Sequence, residues 1–101
     1  MATTTKVLAR AAASLTTTTT LYTVPASTTT VVTNIAVTNT AGSAGTFTIW
    51  LNGVALHTTS AIAANSTAYI DLKQVLTATS TLQGGASATT INFHISGVEI
   101  S

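Results

Sequence analysis

Between residues 46 and 54 the chain alternates so regularly that only one local structure fits. Phe47, Ile49 and Leu51 fall on one side of an extended backbone, and Thr46, Thr48, Trp50 and Asn52 on the other. That is the two-residue period of a half-buried strand. Asn52-Gly53 follows, and this dipeptide readily accepts the positive φ needed at both centres of a type I′ turn. The strand is therefore expected to reverse into a partner over residues 54–59. To either side the sequence is dense in Thr, Val and Ile, side chains that are stiff at χ1 and suit a pleated surface.

The same reading extends from residue 16 to the end. Residues 16–24 form an expected strand stopped by Pro25, which cannot donate to a central ladder. Residues 28–39 form another, with Val31, Ile35 and Val37 on one face. Residues 41–45 make a flexible turn, and residues 61–65 a connector. Residues 66–73 place Ala68, Ile70 and Leu72 inward and Tyr69, Asp71 and Lys73 outward. A short strand over residues 80–83 ends at a turn read from Gly84-Gly85. The last strand, residues 88–100, buries Ile91, Phe93 and Ile95, and Gly97 is expected to bulge it and turn Val98 and Ile100 inward. Seven or eight short strands in one chain of 101 residues indicate an antiparallel β-sandwich, jelly-roll-like, over residues 16–101. Residues 1–15 have no sustained period and read as an extended N-terminal arm, ordered only against a neighbour. A short helix over residues 7–13 is the competing reading.

Charge is the unusual part of the composition. Lys6, Arg10, Asp71, Lys73 and Glu99 are the only formally charged side chains, where about a quarter of the residues in an average domain are charged. Thr supplies about a quarter of the chain instead. Neutral hydroxyls are less costly to desolvate than ions, so such a surface favours association, and a homo-oligomer is expected. A net charge of +1 offers no clustered cations for nucleic acid. No run of 18 apolar residues calls for a membrane helix, and cysteine is absent. Arg10 interrupts the only apolar stretch near the N-terminus, so no secretion signal is read and synthesis in a cytoplasm is expected.

Catalytic, metal and cofactor chemistry find little to work with. His57 and His94 are the only histidines, and Asp71 and Glu99 the only carboxylates. Their spacing matches no metal motif, no carboxylate pair is set for glycoside hydrolysis, and no nucleophile elbow occurs. No catalytic residue, metal ligand or cofactor is assigned, and the chain is read as a non-enzyme. Asp71 is read as a weak surface partner of Lys73, and Glu99 as a partner for an arm cation such as Arg10. The candidate functional residues are instead those of an interface. Trp50 and Tyr69 are out of phase with their inward neighbours, His94 is out of phase with Phe93, and Lys6 and Arg10 lie on the arm. Outward aromatics are enriched at protein interfaces. They also serve as sugar-stacking platforms, and Trp50 covered by the chain's own arm is a third reading.

Four segments together resemble a group of small bacteriophage virion proteins: Leu21-Tyr22-Thr23-Val24-Pro25-Ala26; Val37-Thr38-Asn39 with the turn before Thr46-Phe47-Thr48-Ile49; Ile62-Ala63-Ala64-Asn65-Ser66-Thr67; and Phe93-His94-Ile95-Ser96-Gly97-Val98-Glu99-Ile100. The likeness runs from about Lys6 to the C-terminus. Many of that group carry a longer insertion where this chain has the Asn52-Gly53 hairpin. The resemblance implies a virion structural component, synthesised in the host cytoplasm. A head decoration or cement protein is the expected role, as a homo-oligomer, a trimer being favoured, bound to the phage major capsid protein or another virion protein. The alternative it leaves is a tail or fibre component, or a carbohydrate-binding module, recognising a cell-surface glycan.

Overall fold

The computed structural model describes residues 3–101. The described residues hold eight strands and no helix: β1 (Thr3–Ala12), β2 (Thr20–Thr23), β3 (Thr29–Asn39), β4 (Gly45–Leu51), β5 (Val54–Ile62), β6 (Ser66–Leu76), β7 (Thr81–Ala86) and β8 (Ile91–Ile100). They form two four-stranded sheets, ordered β1-β8-β3-β6 and β2-β7-β4-β5, and every pairing is antiparallel. First pairs with last, second with seventh, third with sixth and fourth with fifth. One long hairpin has thus been rolled over itself, which is the jelly-roll arrangement of a β-sandwich.

The central hairpin forms as the sequence requires. Asn52 (φ 50°) and Gly53 (φ 80°) both take positive φ, and Leu51 pairs with Val54 across the turn. Phe93, Ile35, Ile49, Leu82, Ile91 and Ile95 are the largest fully buried side chains. Phe47 from one sheet meets Phe93 from the other edge-on, with centroids 6.5 Å apart, a favoured aromatic geometry. Asn39, also fully buried, closes one end of the sandwich. Its amide donates to the carbonyls of Ser43 (2.8 Å) and Ala63 (3.3 Å) and its Oδ1 accepts from Ala41 N (3.0 Å), tying two connections to β3.

Four expectations are corrected. The N-terminal segment is no detached arm or helix over its described residues. β1 pairs with β8 from Thr3↔Ile100 to Ala12↔Asn92 and completes the first sheet as an edge strand. Residues 16–19 turn rather than extend, with Thr19 N donating to Thr16 O at 3.2 Å, because their hydroxyls compete for local backbone bonds. Gly84-Gly85 is no turn but the buried interior of β7. There the backbone of residues 14–17 passes so close that a Cβ on Gly85 would lie 2.6 Å from Thr16 O and 2.8 Å from Ser14 O; a strand glycine often marks such an approach.

The fourth correction concerns phase. Bulges sit on the neighbours of β8 and not at Gly97: the register shifts between Val7 and Ala9 on β1 and between Val32 and Asn34 on β3. β6 shifts again against β3, between Asp71 and Gln74. Each extra residue reverses the inside–outside pattern beyond it. So Thr30 and Val32, fully buried, replace Val31 on the inner face. β8 itself alternates without interruption, which leaves Val98 and Ile100 facing outward in line with Val31.

Candidate functional site

The outer face of the first sheet gathers three of the five interface candidates, Arg10, His94 and Tyr69, which the sequence separates by many residues. Arg10 on β1 pairs with His94 on β8, His94 with Ala36 on β3, and Ala36 with Tyr69 on β6. These four residues form one row across all four strands, with side chains of directly opposed residues on the same face. All three of the predicted residues in it are exposed, Tyr69 at 74% of its full area. Toward the chain termini the next row is Val7, Ser96, Asn34 and Asp71, and the row beyond the bulges is Thr5, Val98, Val31 and Val75. Val75 (61%) and Val7 (46%) are exposed. The face is thus polar and partly aliphatic, with Arg10 on one edge strand and Asp71 and Lys73 on the other. Asp71 accepts from Asn34 Nδ2 at 3.1 Å. Sequence reasoning missed the valines of this face: Val31 changes sides through the bulge on its own strand β3, and Val98 stays outward because the bulge expected at Gly97 is absent.

Lys6 has a different role from Arg10. The bulge at Leu8 puts it on the inner-face register, opposite Gly97, where its Nζ reaches both Glu99 carboxylate oxygens at 3.3 Å. Glu99 does pair with a cation of the N-terminal segment, but that cation is Lys6, since Arg10 lies on the opposite face. Tyr22, from the second sheet, donates its hydroxyl proton to Glu99 Oε2 and accepts from Thr30 Oγ1 at 2.9 Å. This network joins β1, β2, β3 and β8 at one end of the sandwich. The Tyr22 hydroxyl, with help from Lys6, holds the Glu99 carboxyl below the ordinary glutamate value of 4.5. Burial, reinforced by the Glu99 bond, raises Tyr22 above the ordinary 10.0.

The signs give a pH prediction. A lowered Glu99 contributes stability that is present above its unfolded value and lost as pH falls through its folded one; a raised Tyr22 contributes stability that is lost as pH rises through its folded value. Stability is expected to decline at both extremes. Glu99→Gln should flatten the acid limb but leave the burial-driven part of the alkaline limb, whereas Tyr22→Phe should flatten both. Urea midpoints measured across the pH range check this, and unchanged acid limbs in both variants would refute it.

The outward aromatics do not share a face. Tyr69 is on the first sheet and Trp50 on the second, where Trp50 pairs with Gln83 and Ala55. Trp50 is only half-exposed, and its buried Nε1–H has no acceptor. The segment read as an arm does not lie on that sheet over residues 3–12, which form β1 of the first sheet; the neighbour of Trp50 with polar contacts is Gln83. That side chain donates to Thr18 O (3.3 Å) and accepts from Gly53 N (3.1 Å), drawing residues 14–19 and the central hairpin around it.

The four imidazole and carboxylate side chains are dispersed. His57 is on the second sheet, beside Phe47 at 5.8 Å between ring centroids and with Nδ1 3.3 Å from Ser60 Oγ. His94 and Asp71 are two strands apart on the other sheet, and Glu99 is engaged by Lys6 and Tyr22. Among the described residues no group of three such side chains is placed to hold a metal ion. A cleft of about 350 Å³ lies where the sandwich opens between β5 and β6, lined by Leu51, Val54, Leu56, Val75 and Leu76 among others. It contains no titratable side chain. The fold and the outer face of the first sheet define the chain as a small jelly-roll domain with a broad, exposed sheet surface. No protein-family model and no curated protein matches it.

Proposed function

We propose that the chain is a non-enzymatic structural protein of a bacteriophage particle, a head decoration protein that self-associates and binds capsid subunits. The observation that carries this reading is the outer face of the first sheet: four strands wide, exposed, rich in Thr, Val and Ala, with formal charge only on its edge strands, at Arg10, Asp71 and Lys73. Water is displaced from such a surface at small desolvation cost, and repeated weak contacts on a lattice add up through multivalency. Jelly rolls recur in viral capsid and lectin domains, an analogy of fold that supports a virion or binding role without fixing one. The glycan-binding alternative draws less support, because Trp50 and Tyr69 face opposite sides of the sandwich and cannot stack on one sugar chain.

Localisation on purified particles is the test. Reconstruction and quantitative mass spectrometry should place the chain on the head, in a number comparable with the capsid subunits. Its absence from the particle would refute the proposal. A few copies confined to the tail, together with glycan-array binding lost in Tyr69→Ala or Trp50→Ala, would replace it with the alternative.

A further inference from the structure

We infer that the outer face of the first sheet packs against the same face of a second copy of this chain. The two-fold axis runs along the strands, between β8 and β3. The inference sharpens the self-association in the proposed function and rests on that part of it.

The face is complementary to itself under this operation. A two-fold axis along the middle of the order β1-β8-β3-β6 sets β1 over β6 of the second copy and β8 over β3, and keeps each cross-strand row opposite itself. In the row Arg10, His94, Ala36, Tyr69, Arg10 then lies over the Tyr69 ring and the bulky His94 over the small Ala36. A guanidinium on an aromatic face is an attractive pairing. One row further, about 6.6 Å along the strand, Asp71 of the second copy comes within reach of the same guanidinium. Val98 meets Val31, and Thr5 meets Val75. Lys73 lies in the β6 bulge, opposite Val7 and Thr5 and away from Arg10.

Within one chain Arg10 and Asp71 are on opposite edge strands, about 14 Å apart across the sheet. They cannot neutralise each other there, and the only ion pair among the described residues is that of Lys6 with Glu99. Arg10 and Asp71 can meet only through a second copy, and Lys73, two residues from Asp71 on β6, makes no ion pair with it.

Area and alternatives agree with this choice. Four strands of about ten residues present about 600 Å² per face, hence about 1,200 Å² in all, at the lower limit of standard stable interfaces. Packing of two sheets face to face with their mean strand directions within about 30° is an ordinary arrangement. A three-fold axis would instead oppose two different patches, separating Arg10 from Tyr69 and Asp71. Edge-to-edge pairing is impeded by the bulges on both edge strands of this sheet. The second sheet is less available, since residues 14–17 cross over Gly85.

Sedimentation of the purified full chain tests the inference without any phage component. A dimer is expected at micromolar concentration. Ala36→Glu, central on an already solvent-facing position, should weaken it at least about 100-fold. Arg10→Asp and Asp71→Arg should each weaken it about tenfold, and the double variant should recover most of that loss. Recovery cannot arise inside one chain because the two positions are too far apart. Should Ala36→Glu fail to fold by circular dichroism, the charge-reversal set decides alone. A monomer at 100 μM, a trimer, or a dimer indifferent to these substitutions would overturn the inference. Such a result would leave location on the particle untouched, and absence from the particle would leave the dimer intact.

Discussion

Phe93→Ala is expected to remove about 3–5 kcal/mol of folding stability, the cost of truncating a fully enclosed aromatic. Phe93 is 0% exposed on the central strand β8, where it pairs with Val37 on one side and Ala11 on the other. Its ring meets Phe47 of the opposite sheet. The remaining core is built of Ile, Leu and Val held in the pleat, so little can slide in to refill the space. A domain of this size has about 5–15 kcal/mol in total, and the variant should unfold at a much lower urea concentration. Val54→Ala, at a position 70% exposed on β5, should move the midpoint by less than about 0.5 kcal/mol. Equal midpoints for the two variants would show that the sheets are not joined through this contact.

Gly85→Ala is expected to cost about 2–3 kcal/mol, although it adds a single methyl group. The new Cβ would lie 2.6 Å from Thr16 O, 2.7 Å from Thr17 Cα and 2.8 Å from Ser14 O. All three are backbone atoms, so no side-chain rotation relieves the clash. The segment must lift away, and with it the bonds from Ala86 N to Ser14 O (3.0 Å) and from Gly84 N to Thr19 O (2.9 Å). Hydrogen exchange should therefore accelerate at the Gly84 and Ala86 amides in particular. Gly42→Ala supplies the comparison, since a Cβ there meets nothing within 4 Å. A Gly85→Ala protein with wild-type midpoint and wild-type protection would refute the close approach.

Where the alternation is uninterrupted, the sequence is a sufficient guide. Phe47 and Ile49, the Asn52-Gly53 turn, the outward Tyr69 and Asp71 against the inward Ile70, and the inward Ile91, Phe93 and Ile95 all stand where a two-residue period puts them. Local rules fail where a distant segment decides. Gly84-Gly85 resembles a turn until residues 14–17 are seen to pass over it. The threonine run has strand propensity, but residues 16–19 gain more from their own turn bonds. Val31 is apolar, and nothing local says that a bulge on β3 will turn it outward; Val98 and Ile100 keep the simple alternation of β8, because the bulges fall on β1 and β3 rather than at Gly97. The Tyr22–Glu99–Lys6 network is similarly hidden, because its members are separated by up to 93 residues.

By itself the sequence determined that this chain is all-β, that it turns at Asn52-Gly53, and that its surface carries few formal charges. Each of these follows from a residue and its immediate neighbours. The tertiary structure decided the jelly-roll order, the use of the N-terminal segment as an edge strand, and the alignment of Arg10, His94 and Tyr69 in one row on one face. Register between distant strands is fixed by where bulges fall and by which edges remain open for pairing, and those are properties of the assembled sheets.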